Sequence, residues 1–303
     1  MESHPPLLRA QILAAFATIY LVWGSSYMAG RIGVHYLPAL LMAGVRFGTA
    51  GLIMLVLARL SGDRIWLKGP ERIQLPILAV LGFVIANGAG VWALQYVASN
   101  KSALLNATVP CWIVLLGTFG PKGHRPRWRT LLGLLLGFCG AALVLQPRAE
   151  VGSAELFPEL MILLGCVAWA FSTMCLRRFE LQLPIKTLIG WQMLLGGLGL
   201  ALLGLAGGDA ERWHWSWPGV VALSYLIIFA SCLAHTAYAW LATRTTPAHL
   251  GTYSYVNPLV ATTLGWLILG ERLTPVQLLG MVVSLSGVLA INWPRSMQRQ
   301  PKS

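Results

Sequence analysis

Charge is the scarcest commodity in this sequence. Asp, Glu, Lys and Arg together make up 11% of its 303 residues, while 56% are hydrophobic; soluble domains carry about 25% charged residues. A core of this size could not hide so much apolar surface from water, so the chain's solvent is lipid. Apolar and polar residues do not alternate at the two-residue period of a membrane strand, which excludes a β-barrel. The five cysteines, Cys111, Cys139, Cys166, Cys175 and Cys232, are odd in number and lack metal-ligand spacing. A disulfide framework, a metal site and a cofactor are therefore not expected. Neither a Gly-x-Ser-x-Gly elbow nor a His-Glu-x-x-His helix occurs, which argues against an intramembrane hydrolase.

What is present is a succession of ten apolar stretches, near residues 9–31, 38–60, 75–97, 102–120, 130–147, 157–177, 185–206, 218–242, 248–270 and 275–293. Each approaches the roughly 20 residues that a helix needs to cross about 30 Å of hydrocarbon. The first lacks a closing small-residue cleavage site and is read as a retained helix rather than a signal peptide. The fold expected is an all-α membrane protein of ten transmembrane helices.

The 22 basic residues are unevenly spread. With the N-terminus in the cytoplasm, the inner segments hold Arg9, Arg59, Arg64, Lys68, Arg72, Lys122, Arg125, Arg127, Arg129, Arg177, Arg178, Lys186, Arg244, Arg295, Arg299 and Lys302. The outer ones hold Arg31, Lys101, Arg148, Arg212 and Arg272. Sixteen against five is a positive-inside bias that puts both termini in the cytoplasm. The net charge of +12 is thus a topology signal and not a nucleic-acid footprint. The partners expected are a small-molecule substrate and the lipid bilayer, with no obligate protein partner.

The chain also repeats itself. YLVWGSSYMAGR at 20–31 and CVAWAFSTMCLR at 166–177 share Trp, Ser, Met and Arg at the same four places, 146 residues apart. Pro38 and Pro184, Gly44 and Gly190, Gly51 and Gly197, and Gly62 and Gly208 keep that offset. Pro110 matches Pro258, and Gly133, Gly140 and Pro147 match Gly280, Gly287 and Pro294, at offsets of 148 and 147. Each half holds five helices, an odd number, so the second enters the membrane from the opposite side. Inverted repeats of this kind typify secondary transporters whose substrate site lies at the midplane between the halves. The organisation expected is a first five-helix repeat over 10–148, a second over 155–294, and a short basic cytoplasmic tail over 295–303.

Several residues are candidates for the lining of such a site. Trp23, Ser26, Tyr27 and Gly30 share one helix face at i, i+3, i+4 and i+7, and Trp169, Ser172 and Thr173 repeat it. Arg46 is read as the sole basic residue deep in a helix, with Gln192 at its mirror position. An arginine there either meets a substrate carboxylate or snorkels and binds carbonyls. Asn87 and Trp92, Ser102 and Asn106, Ser231, His235 and Tyr238, and Ser254 and Tyr255 complete the set. Pro110 and Pro258 are candidate hinges. Gly44 with Gly48, Gly133 with Gly137, and Gly280 with Gly287 are candidates for close helix packing. All ten acidic residues are placed at helix ends or in loops, so proton coupling lacks the buried carboxylate it usually uses. Facilitated export is expected, with coupling through His235 as the alternative.

The runs IYLVWGSSYMAGRIGV, PALLMAGVRFGTAGL and SYVNPLVATTLGWLILGERLTPVQLLGMVVSLSGV resemble the ten-helix EamA-type family of the drug/metabolite transporter superfamily. The resemblance implies inner-membrane export of small metabolites, often amino acids, or of toxic compounds. Where the first half should carry a Gly-Glu turn it reads GTFGPKGHRP, so Glu271 is taken as a local turn and helix cap. A passive channel or scaffold is the remaining alternative; saturable, competable flux separates a carrier from both.

Overall fold

The apolar stretches fold as helices because nothing in lipid can satisfy a backbone polar group except its own helix. The computed structural model describes residues 6–117, 128–144, 156–242, 244–245 and 252–292, and no strand occurs among them. We number the helices α1 Pro6–Tyr36, α2 Ala39–Leu60, α3 Glu71–Ala93, α4 in two pieces Ser99–Asn106 and Val109–Gly117, α5 Trp128–Val144, α6 Leu156–Phe179, α7 Ile185–Ala206, α8 Trp217–Ala242, α9 Tyr253–Leu269 and α10 Pro275–Asn292. Six of them, α1, α2, α3, α6, α7 and α8, are long and apolar enough to cross a membrane, and shorter apolar helices lie in α5, α9 and α10. Large apolar side chains face outward, among them Leu202, Leu267 and Val282, the reverse of a soluble surface. The expected tail over 295–303 lies outside the described residues.

Prolines open α2 and α7, where Pro38 and Pro184 hold extended ψ values of 128° and 140°. Glycines close the same two helices. Gly62 and Gly208 both take φ 77°, a left-handed conformation that only glycine adopts cheaply. The next amides, of Asp63 and Asp209, reach back to the carbonyls of Ala58 and Gly204, each at 2.9 Å.

The helix packing has an exchange pattern. A Cβ added to Gly44 would meet Ala201, and one added to Gly190 would meet Leu55. Gly51 likewise faces Leu194, and Gly197 faces Gly48. Residue numbers rise along α2 as they fall along α7, so the two run antiparallel. Each contact reappears when the halves are swapped at the 146-residue offset. α5 and α10 repeat the arrangement: Gly140 lies on Ser284 and Gly287 on Gly137, beside the Gly133 carbonyl. Gly280 is buried on the same helix as Gly287. These glycines remove the side chains that would hold backbones apart.

Two features escaped the sequence. In α3 and α8 the backbone widens into π-helix, over Val80–Asn87 and Leu226–Leu233, eight-residue stretches standing 146 residues apart. And α4 breaks at Ala107–Thr108, just before Pro110, whose missing N–H cannot continue the helical ladder. Pro258, its repeat partner, sits inside an uninterrupted α9.

At the start of α3, Glu71 caps the turn by accepting from the Lys68 amide at 2.8 Å and pairs with Arg64 at 2.7 Å. That hydrogen bond raises the Arg64 guanidinium above its ordinary pKa.

Candidate functional site

A cavity of about 180 Å³ lies between the helices, lined from both halves of the chain. From α1 come Trp23, Ser26, Tyr27 and Gly30, the face read from the sequence; α2 adds Met42 and Arg46; α3 adds Asn87, Gly90 and Leu94; α4 adds Ser102 and Asn106. The second half contributes Gly165 and Trp169 from α6, His235 from α8, and Tyr253 and Asn257 from α9.

The π stretches aim two of the polar groups. Asn87 Nδ2 donates to the Gly82 carbonyl at 2.7 Å, and His235 Nδ1 lies 2.9 Å from the Ala230 carbonyl, each five residues back along its own widened helix. Facing a carbonyl, the histidine Nδ1 carries a proton and donates it. Trp23 donates its indole N–H to the same Ala230 carbonyl at 3.2 Å. Its ring also packs edge-on against His235 at 5.1 Å and Tyr253 at 5.4 Å. Arg46 is 7% exposed; its Nε donates to Ser231 Oγ at 2.9 Å and its guanidinium lies 4.5 Å from the Phe47 ring centre.

Other candidates stand outside the lining. Tyr238 backs it, packed on Trp23 and Tyr253. Trp92 turns to Tyr96 and Phe157, because its neighbour Val91 takes the inward position. Ser172 points at the Leu78 carbonyl across the α3 contact. Gln192 is half-buried on α7 and Ser254 is buried; neither reaches the cavity. The side chain of Tyr255 lies outside the described residues. Tyr253 and Asn257 were missed although their i, i+4 spacing marks one face; the polar pair Ser254 and Tyr255 drew attention to the neighbouring face.

A buried polar cluster adjoins the cavity at the start of α4, where Ser102 is part of the lining. Ser99, Asn100, Lys101 and Ser102 are all buried there. Glu271, from the turn after α9, accepts from Ser99 N at 2.8 Å, Ser99 Oγ at 2.7 Å and Asn100 N at 3.1 Å. It is a cap, but of a helix 172 residues away and not of its own turn. Lys101 forms an ion pair with Glu159 of α6. Lys101 thus joins Arg46 as a buried basic side chain, and Glu159, which the sequence places at a helix start, is 0% exposed. The helix ends are shielded because α4 and α6 cover each other. On α1, Arg31 donates to the Leu94 carbonyl, tying it to the end of α3.

Known proteins supply the wider context. The model of the EamA-like transporter family matches residues 10–146 and again 156–293. The inner membrane transporter YedA of Escherichia coli K12 is 31% identical over 283 residues, covering 92% of this chain and 90% of its own. The Bacillus subtilis transporter YvbV is 24% identical over 296 residues, 97% of this chain and 95% of its own. An S-adenosylmethionine/S-adenosylhomocysteine transporter of Chlamydia trachomatis is 24% identical over 271 residues, 84% of this chain and 80% of its own. One crystal structure shares the fold with a TM-score of 0.64 at 21% identity, covering 93% of this chain and 96% of that one. With the family pattern present in both halves, the chain belongs to the EamA-like transporter family and is a multi-pass membrane transporter, not an enzyme.

Proposed function

We propose that this protein is an inner-membrane secondary transporter that exports small metabolites, amino acids or related compounds, by alternating access through the central cavity. In this reading ten helices form two inverted five-helix repeats, over 10–148 and 155–294, with both termini and the tail 295–303 in the cytoplasm. The observation that carries it is that one cavity draws its lining from both halves, whose glycine contacts exchange at the repeat offset. A cavity so placed faces either side when the halves rock about their shared contacts. The inner-membrane relative YedA supports the location. The Chlamydia relative, a transporter of S-adenosylmethionine and S-adenosylhomocysteine by its name, supports a metabolite that carries an amino-acid group.

The transport site we assign comprises Trp23, Ser26, Tyr27, Arg46, Asn87, Asn106, Trp169 and His235. At about 180 Å³ the cavity falls below the roughly 300–1,000 Å³ of drug-sized sites, which favours a metabolite over a drug. Flux is facilitated, since the described lining includes no carboxylate. The test is efflux of labelled amino acids from proteoliposomes, with and without a pH gradient. Saturable, competable flux that ignores the gradient is expected. Non-saturable leak would overturn the carrier reading, and gradient-dependent flux lost in His235→Gln would replace facilitation by proton coupling.

A further inference from the structure

We infer that the cavity selects small monocarboxylates, whose carboxylate sits on the outer edge of the Arg46 guanidinium while Ser231 holds that guanidinium in place. The inference rests on the central cavity being the transport site, and it names the substrate class.

Arg46 is more than nine-tenths buried and lines the cavity. Its Nε–H is taken by Ser231 Oγ, on the π stretch of α8, a hydroxyl that is itself 0% exposed. The Phe47 ring beneath the guanidinium limits its tilt. With Nε occupied, the edge left over is the pair of terminal nitrogens, the fork that carboxylates accept in bidentate fashion. Among the described residues, none that lines the cavity is acidic and no ion pair reaches Arg46. The fixed charge of the lining is therefore one cation, at a depth where an unpaired cation is costly.

Charge balance sets the rest. One guanidinium matches one carboxylate; a second carboxylate would enter a low-dielectric space uncompensated. An amine without a carboxylate meets a like charge and no counter-ion. An α-ammonium group on a molecule that also carries a carboxylate is tolerated, because Asn87 and Asn106 offer amide oxygens. An apolar remainder is accommodated by the rings of Trp23, Tyr27 and Trp169.

The probes are three molecules of one shape: isocaproate, L-leucine and isoamylamine, which carry an acid, both groups, and an amine. Binding to the full chain in detergent is read by thermal stabilisation, with counterflow in proteoliposomes alongside. The two acids should stabilise the wild type and the amine should not. Arg46→Gln should weaken the acids on the order of 100-fold and Arg46→Lys on the order of tenfold, the second keeping charge but not the fork. Ser231→Ala should weaken them by roughly fivefold, as one lost hydrogen bond requires. Because the wild-type comparison needs no variant to fold, it decides by itself: an amine that binds as well as the acids, or acids that fail to bind, overturns the inference. Saturable counterflow of the amine would leave transport standing and sink the carboxylate subsite. Acids that bind without any counterflow would leave the subsite standing and sink transport.

Discussion

Replacing Glu271 with alanine removes the acceptor for the first turn of α4. The wild-type carboxylate takes three hydrogen bonds, from Ser99 N, Ser99 Oγ and Asn100 N. Ser99 is 0% and Asn100 1% exposed with the carboxylate in place, so water reaches either amide only through the space the side chain vacates. The Ser99 hydroxyl can rotate to a carbonyl; the two amides cannot. An orphaned buried donor costs about 1–3 kcal/mol, which sets the loss at about 2–6 kcal/mol before relaxation. Removing the carboxylate also forfeits its attraction to the helix dipole, about 0.3–1 kcal/mol. The desolvation relieved when the charge is deleted offsets part of this, leaving about 2–4 kcal/mol. Glu271→Gln keeps one acceptor oxygen but turns an NH₂ toward the second amide, and should lose about half as much. Reversible unfolding of the full chain in mixed micelles measures the order alanine, glutamine, wild type, and hydrogen exchange should rise at Ser99 to Ser102 specifically. If Glu271→Ala lies within about 0.5 kcal/mol of wild type, the usual range for a surface substitution, the capping argument is refuted.

Three further outcomes follow from the packing. Gly197→Ala drives a Cβ into the backbone of Gly48 and should cost about 2 kcal/mol or more, whereas Gly48→Ala meets open space and should be neutral or gain about 0.5–1 kcal/mol of helix propensity; paired melting curves compare them. Glu180 holds φ 47°, so Glu180→Gly should stabilise the chain by about 1 kcal/mol in the same assay. Lys101→Met leaves the Glu159 carboxylate buried without its ion pair and should cost about 3–5 kcal/mol, most of it recovered in the double variant with Glu159→Leu.

Much of the helical layout was legible in the amino acids. The stretch read at 185–206 became α7 at Ile185–Ala206, and 38–60 became α2 at Ala39–Leu60, because prolines and glycines mark those ends chemically. The α1 face of the cavity was legible too, since a helical period carries Trp23, Ser26, Tyr27 and Gly30 to one side. What stayed hidden depends on what packs where. A π-helix has no compositional signature, as it reflects how a helix fits its neighbours. Ser172 repeats Ser26 in sequence but faces Leu78, because α6 packs on α3 there while α1 borders open space. Glu159 reads as a solvated helix start until α4 is laid across it.

The widened turns of α3 and α8 have a consequence for how the two halves present polar groups. A π-helix is a rare widening of a ladder that is otherwise regular, and it recurs at functional sites. Both copies carry it at the corresponding positions, Val80–Asn87 and Leu226–Leu233. The same distortion therefore serves both halves, orienting Asn87 in one and His235 in the other. One widened scaffold thus offers an amide on one side of the cavity and an imidazole on the other.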